Sequence, residues 1–215
     1  MSEATFVSDP EKWIIEKATE PDILCLVIFR GSWCKYDKYY LQRLGNFLKA
    51  QQKEDEKCLL IGWTSEGEAG AKKADEEWGL TKECGFSEVV GDSSNALANY
   101  LIDDVVLEHL KIMSPEEAGV SDLVEAGSYP NGIVMPGIVC YGHHEAAPVF
   151  EWTHACDQPG NKGGPLRPDP ADMWKAVIKR KHALDHGDAV MPSHGTNMKM
   201  CASDADLALA ACHVQ

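Results

Sequence analysis

Cys34 follows an apolar run and a short turn, and it comes directly before a helical pattern. The run is Ile23 to Phe29, and the turn reads Arg30-Gly31-Ser32-Trp33. A cysteine at the amino end of a helix lies at the positive end of the helix dipole, near backbone N–H groups without helical partners. Both features stabilise the thiolate, which is the nucleophilic form of cysteine. The sequence therefore predicts thiol chemistry at Cys34.

The neighbours of Cys34 are charged or aromatic. Arg30 and Lys35 would favour the thiolate further, unless they are ordinary surface charges. Trp33 either shields the site and contacts a substrate or anchors the turn, and Tyr36 is a further candidate for contact with substrate. We therefore take Cys34, Arg30 and Trp33 as candidate catalytic residues.

Asp37 lies three residues after Cys34, at the position where a dithiol protein would have its second cysteine. In the first helical turn its carboxylate stabilises the helix start. Close to the thiol it would raise the pKa of Cys34, and it is also a candidate proton acceptor or metal ligand. We include Asp37 in the candidate catalytic set and favour the structural role.

A second polar group lies at His143 and His144, in the turn between two strand patterns, with His154 and Cys156 downstream. Histidine and cysteine at this density are typical of metal or proton-transfer sites. The alternative is a polar turn, which we favour. The spacing matches no zinc pattern, so no metal site is predicted.

Composition narrows the possible partners. The net charge is -14 over 215 residues, which disfavours binding to nucleic acid or to an anionic membrane. No apolar run is long enough to cross a bilayer, and the first residues lack the pattern of a secretory signal. We expect a cytoplasmic protein with mostly free thiols, in which Cys25, Cys58 and Cys140 act as small buried hydrophobes.

The elements needed to position Cys34 follow from periodicity and capping signals. The sequence predicts helices at 10–19, 35–52, 66–78, 94–101 and 171–184, and strands at 23–30, 58–64, 88–92 and 133–142, the last paired with 147–153 as a hairpin. Residues 105–113 look helical, and Ser114-Pro115-Glu116-Glu117 resembles a further capped helix start. This order predicts an α/β fold with a mixed central sheet flanked by helices.

The chain divides into one domain and an extension. Residues 1–186 form the predicted domain. Residues 187–215 have weak periodicity and are expected to be a C-terminal tail that is packed on the domain or partly mobile.

These features resemble the peroxiredoxin-like (AhpC/TSA-like) branch of the thioredoxin superfamily. The resemblance covers roughly residues 10–184 and implies a thioredoxin-like fold. The residues that carry it are Phe29-Arg30-Gly31-Ser32-Trp33-Cys34, Trp78-Gly79-Leu80, Val90-Gly91-Asp92, Met135-Pro136-Gly137 and the segment 161–170 with Trp174.

The chain also departs from that family. Peroxiredoxins have a threonine three residues before the reactive cysteine, where this chain has Gly31, and the usual proline is replaced by Val27. In place of the arginine that binds peroxide in that family, the later strand has Met135-Pro136, the thioredoxin pattern. There a cis-proline faces the cysteine, and we expect a cis bond here.

The resemblance implies a thiol-dependent oxidoreductase in which Cys34 attacks a peroxide or a disulfide. An external thiol such as glutathione would complete the cycle, with no other cofactor required. Met135, Pro136, His143, His144 and Arg167 join Tyr36 as candidate substrate-binding residues. Weak peroxidase activity at best is expected, and a homodimer is among the assemblies that the sequence allows.

Two other functions remain open. One is a thioredoxin fold repurposed for non-redox chemistry on a small molecule, with a pocket of cysteine, histidine and aspartate. The cysteine would act there as a nucleophile or acid/base, or would bind a metal ion together with histidine. The other is a binding module without chemistry, because a fold does not fix a function.

Overall fold

A computed structural model describes residues 9–51, 57–103, 107, 109–143, 147–154, 167–187 and 193–194. Its helices are α1 (Pro10–Ala18), α2 (Lys35–Gln51), α3 (Gly67–Trp78), α4 (Ala96–Asp103), α5 (Pro170–Asp185) and a 3-10 turn (Ser121–Leu123). Its strands are β1 (Ile23–Phe29), β2 (Cys58–Thr64), β3 (Glu88–Gly91), β4 (Ile112–Met113), β5 (Ile133–Val134), β6 (Gly137–Gly142), β7 (Pro148–Thr153) and β8 (Ser193–His194).

The main sheet is mixed, with strand order β3-β2-β1-β6-β7-β8. Strands β1, β2 and β3 run parallel, whereas β6 is antiparallel to both β1 and β7. All seven residues of β1 are buried, as expected for an apolar run covered on both faces of a sheet. The predicted α/β class, with a mixed central sheet flanked by helices, is confirmed.

Alternate residues of β1 face opposite helical layers. Ile23, Cys25, Val27 and Phe29 belong to the core that includes buried residues of α2 and α5. The intervening residues Leu24, Leu26 and Ile28 belong to the core built with α1 and α4. Side chains alternate along a strand, so β1 contributes to both cores. Packing on both faces fixes the position of its carboxyl end, where Arg30 follows.

Two helix starts follow the predicted capping chemistry. The Asp9 carboxylate accepts a hydrogen bond from the backbone N–H of Lys12 at 3.1 Å, with Pro10 as the first helical residue. The Asp169 carboxylate accepts one from the N–H of Ala171 at 3.0 Å, ahead of α5. Each side chain satisfies a backbone donor that has no partner within its helix.

The two helices predicted between α4 and α5, at 105–113 and from Ser114, are wrong where the structure describes them, whereas the helix predicted at 171–184 is confirmed as α5. Within 105–113, Ile112 and Met113 form β4 and the other described residues are not helical. Ser114 and Glu117 do make the reciprocal capping hydrogen bonds, at 2.8 and 3.2 Å. However, Gly119 has a φ of +67°, a left-handed conformation that ends the turn before a helix can extend.

The predicted strand 133–142 is divided at Met135 and Pro136. Residues Ile133–Val134 pair with β4, whereas β6 pairs with β1 in the main sheet. The Met135–Pro136 peptide bond is trans, so the expected cis bond is wrong. In this extended crossing, Met135 N–H donates to the Lys111 carbonyl at 2.9 Å and the Pro136 carbonyl accepts from His154 N–H at 2.8 Å.

Three of the cysteines lie in the sheet as predicted. Cys25 and Cys140 are fully buried on neighbouring strands, and Cys58 is 8% exposed. All three are free thiols. Their prediction as small buried hydrophobes is confirmed.

Part of the tail contributes to the sheet. Ser193 and His194 form β8, which runs parallel to β7. The rest of 188–215 lies outside the described residues. Across the described ranges, every helix is too short or too polar to cross a membrane.

Candidate functional site

Cys34 lies where β1 passes into α2. Its N–H donates to the carbonyl of Gly31 at 3.0 Å, which closes the turn, and its carbonyl accepts from the N–H of Lys38 at 3.0 Å. Its Sγ atom accepts a long hydrogen bond, 3.4 Å, from the backbone N–H of Asp37. The predicted position at the amino end of a helix is confirmed, although the side chain is only 2% exposed.

Arg30 contacts both Cys34 and Asp37. Its Nη2 lies 2.9 Å from Sγ of Cys34, and its backbone N–H donates to Oδ2 of Asp37 at 2.9 Å. Its Nε lies 3.7 Å from the same carboxylate oxygen. The guanidinium carbon is 5.0 Å from the centre of the Trp33 ring, a cation–π distance.

Arg167 reaches the same site from the residues before α5. Its Nη2 donates to Oδ1 of Asp37 at 2.7 Å, and its guanidinium lies 5.7 Å from the ring centre of Trp152. Arg167 and Asp37 are 2% and 1% exposed. The structure therefore brings together five residues predicted from the sequence, Arg30, Trp33, Cys34, Asp37 and Arg167. Each oxygen of the Asp37 carboxylate binds one of the two arginines.

The two arginines decide the charge of Asp37. Burial by itself would raise the pKa of this carboxyl, but Arg167 and then Arg30 outweigh it and hold the pKa below its ordinary value. Asp37 is therefore a carboxylate at neutral pH, as the pairing requires.

The same surroundings act differently on Cys34. Burial, together with the charge of Asp37, raises the pKa of Cys34 to about 11, although Arg30, Arg167 and the Asp37 N–H act in the opposite direction. The expectation of a stabilised thiolate is wrong for this conformation, because desolvation of a thiolate outweighs the nearby cation and the helix end. The expected influence of the Asp37 charge on the thiol is confirmed.

Glu66, in the residues between β2 and α3, holds the turn from one side. The backbone N–H of Ser32 donates to Oε2 of Glu66 at 2.5 Å, and the Ser32 hydroxyl donates to Oε1 at 3.1 Å. Glu66 is not among the site residues predicted from the sequence. The signal was its place directly after a predicted strand parallel to β1, since the carboxyl ends of parallel strands share one edge of a sheet.

Tyr129 holds the turn from another side. Its hydroxyl accepts from Nε1 of Trp33 at 2.7 Å and donates to the carbonyl of Arg30 at 2.9 Å. A Cβ added at Gly31 would lie 2.1 Å from this hydroxyl. Tyr129 is likewise not among the site residues predicted from the sequence. The one related feature near Cys34 is the glycine at position 31, which leaves room for the Tyr129 hydroxyl.

His143 does not share a pocket with Cys34, so that prediction is wrong. Its N–H donates to the carbonyl of Asp22 at 3.1 Å, and Nδ1 lies 3.1 Å from the carbonyl of Pro21. Both contacts are before the start of β1, whereas Cys34 follows its end. Seven residues of strand separate the two sites by roughly 20 Å. His144 lies outside the described residues.

The remaining candidates lie nearer to Cys34. Tyr36 is half-buried, with the Lys35 ammonium 5.5 Å from its ring centre. Met135 and Pro136 are buried. They directly precede Gly137, which is paired with Ile28, so they lie at the end of the sheet where Arg30 leaves β1.

No group of three or more histidine, cysteine, aspartate or glutamate residues within the described ranges is arranged to hold a metal ion. The groups in direct contact around Cys34 are its buried thiol, the guanidinium groups of Arg30 and Arg167, and the carboxylate of Asp37. The guanidinium of Arg30 can stabilise negative charge on sulfur or on an oxygen bound beside it.

Comparisons with known proteins do not place the chain in a family. No family model and no curated protein matches it. One solved structure, an uncharacterized conserved protein from Geobacillus kaustophilus, is similar with a TM-score of 0.43 and 14% identity, over 86% of this chain and 76% of that one.

Proposed function

We propose that the protein is a thiol-dependent oxidoreductase of peroxiredoxin-like type, on a thioredoxin-like fold, with Cys34 as its single reactive cysteine. The observation that carries the proposal is the 2.9 Å contact between Nη2 of Arg30 and Sγ of Cys34. A guanidinium at this distance would stabilise the thiolate and then the negative charge on a leaving oxygen. The strand order β3-β2-β1-β6-β7, with the cysteine between β1 and α2, supports the thioredoxin-like part.

The proposed oxidant is a hydroperoxide, either hydrogen peroxide or an organic one. Sulfur attacks the terminal peroxide oxygen, so that an S–O bond forms as the O–O bond breaks. Sulfur loses two electrons and the peroxide gains them, and the proton from the thiol ends on the leaving oxygen as an alcohol or water. Cys34 becomes a sulfenic acid.

An external thiol such as glutathione would return Cys34 to its starting state. The first thiol condenses with the sulfenic acid, releasing water and forming a mixed disulfide. A second thiol attacks that disulfide, leaving free Cys34 and an oxidised thiol pair. The other described cysteines, Cys25, Cys58, Cys84 and Cys140, are buried free thiols, which suits a cycle in a reducing compartment such as the cytoplasm.

The acid–base state of Cys34 makes this reaction slow at neutral pH. Because burial raises the pKa of Cys34 to about 11, only a very small fraction of Cys34 is a thiolate at pH 7. The reaction therefore proceeds through the rare ionised form, or after a movement that hydrates the thiol. The weak peroxidase activity expected from the missing threonine and the missing arginine points in the same direction.

A binding module is the second candidate, and one observation favours it. Cys34 is 2% exposed and Arg30 is 3% exposed. A cluster of Cys34, Arg30 and Asp37 that only stabilised the fold would be buried in the same way. The third option, a non-redox enzyme, loses His143 as a partner of the cysteine, because His143 lies at the far end of β1.

Thiol-dependent turnover separates the two candidates. Consumption of hydrogen peroxide and of an organic hydroperoxide is measured with glutathione for the natural protein, Cys34→Ser and Cys84→Ser. Cys84 is buried like Cys34 but lies beside Gly45, eleven residues further along the chain than Cys34, so its variant is a matched control. Turnover lost only in Cys34→Ser supports the oxidoreductase, and equal background rates in all three proteins support the binding module.

A further inference from the structure

The side chain of Tyr129, from the segment between α4 and β6, makes hydrogen bonds to the turn that carries Cys34. The Tyr129 hydroxyl and the Arg30 carbonyl lie 99 residues apart in sequence and 2.9 Å apart in space. The ring of Tyr129 packs in a small apolar cluster with Ala118, Val120 and Ile133, against which Trp33 also packs. The cluster is thereby attached to the body of the protein at the reactive turn.

Both partners of the Tyr129 hydroxyl fix Arg30. The Arg30 carbonyl accepts from Tyr129 and also from the Thr64 hydroxyl at 3.2 Å, which sets the backbone. The other partner is the Trp33 indole, whose ring lies against the Arg30 guanidinium at 5.0 Å. The same guanidinium contacts Sγ of Cys34.

We infer that Tyr129 is a positioning residue for Cys34, acting by holding Arg30 at its backbone and, through Trp33, at its guanidinium. A role of Tyr129 in catalysis rests on the proposed function. Burial raises the pKa of Tyr129 above its ordinary value, so the hydroxyl keeps its proton and remains a donor to Arg30.

Gly31 gives an independent sign of this role. A Cβ at position 31 would lie 2.1 Å from the Tyr129 hydroxyl and 2.7 Å from Nε1 of Trp33. A side chain at position 31 would therefore displace the hydrogen bonds that hold Arg30. Gly31 stands where peroxiredoxins have a threonine. The Tyr129 hydroxyl fills the space that a side chain at position 31 would need.

The test compares Tyr129→Phe with Tyr141→Phe. The Tyr141 hydroxyl is buried without a hydrogen-bond partner among the described residues, and its ring lies in the other core, so its removal controls for loss of a buried hydroxyl. The readout is the rate at which iodoacetamide alkylates Cys34 as a function of pH, followed by peptide mass spectrometry. Circular dichroism verifies that each variant is folded.

Because Arg30 lowers the pKa of Cys34, loosening Arg30 should raise it. Tyr129→Phe is expected to slow alkylation of Cys34 about threefold at a fixed pH below the midpoint, equal to about half a pKa unit, with no change in Tyr141→Phe. An unchanged profile in Tyr129→Phe would overturn the inference. Faster alkylation with a lower midpoint would also overturn it, because the hydroxyl would then serve only to cover the thiol.

A second variant tests the route through Arg30. Arg30→Lys should shift the alkylation midpoint less in the Tyr129→Phe background than in the natural protein, whereas equal shifts in both backgrounds would contradict the inference. Since these experiments measure alkylation and not turnover, they are separate from the proposed function. If peroxide fails to oxidise Cys34 while the coupling is observed, the proposed function fails and the positioning role stands.

Discussion

Asp37 and Arg167 form a buried ion pair at 2.7 Å although 130 residues separate them in sequence. The pair ties the first turn of α2 to the residues just before α5. Because the second oxygen of Asp37 binds Arg30, one carboxylate fixes both arginines of the Cys34 site. The position at which a dithiol protein would have its second cysteine is here the centre of an ionic network.

Asp37→Asn should change stability and reactivity in opposite directions. Removing one partner of a buried ion pair leaves charge uncompensated and should cost about 3–5 kcal/mol in the free energy of unfolding. In the molecules that remain folded, the pKa of Cys34 should fall, because the Asp37 charge raises it. Urea unfolding and pH-dependent alkylation measure the two effects.

The control for this variant is Asp185→Asn. Asp185 pairs with Lys181 at 2.9 Å on the surface, with 51% of its side chain exposed. An exposed pair of this kind contributes about 0–1 kcal/mol. A loss of stability in Asp37→Asn no larger than in the control would show that the buried network is not what holds the turn.

Stability in acid should depend on Asp37. Its pKa is lower in the folded protein than its ordinary value, so as the pH falls the unfolded chain takes up the proton first. The stability contributed by Asp37 is therefore complete above the ordinary carboxyl range, about pH 4, and is lost as the pH falls through the folded pKa. The free energy of unfolding should fall less steeply with acid in Asp37→Asn, and parallel curves for the two proteins would be the opposite result.

Gly31→Ala should destabilise the protein. Its Cβ would lie 2.1 Å from the Tyr129 hydroxyl, and overpacking of this kind costs about 1–3 kcal/mol. The matched control is Gly62→Ala, since a Cβ there would meet Phe29 and Phe86 at ordinary contact distances of 3.5 and 3.6 Å. Thermal unfolding compares the two, and we expect Tyr129→Phe to relieve part of the cost at position 31.

The site was predicted from local sequence where its residues are close along the chain. The strand, the turn, Cys34, Arg30 and Asp37 lie within 15 residues and share simple signals of apolar run, turn and helix start. Tyr129 and Glu66 come from other segments, and neither carries a periodic or capping signal that ties it to Cys34. Their roles depend on how the segments pack, which one sequence does not reveal.

The wrong predictions also concern features that depend on how distant segments pack or on the conformation of a single residue. The capping pattern at Ser114 is real, but the glycine at 119 stops the helix it would start. The polarity of His143 predicts a place in the pocket, whereas the antiparallel direction of β6 puts this residue at the other end of β1. Burial of Cys34 was the decisive omission, since it reverses the expected shift of the pKa.

The pH dependence of Cys34 oxidation should reflect the burial of its thiol. If the thiolate is the reacting form, the rate of peroxide oxidation at Cys34 should rise about tenfold for each pH unit until it levels near pH 11. Stopped-flow measurement with hydrogen peroxide tests this. A rate that levels near pH 8 or 9, the range of an exposed cysteine, would mean that the reacting conformation has an open, hydrated thiol.

The most direct measurement is the trapping of a sulfenic acid. The protein is treated with one equivalent of hydrogen peroxide at pH 9 in the presence of dimedone, and each cysteine peptide is analysed by mass spectrometry. We expect a dimedone adduct on the Cys34 peptide, unchanged in Cys84→Ser and absent in Cys34→Ser. Full-length folded protein in which Cys34 stays a free thiol under these conditions would contradict it.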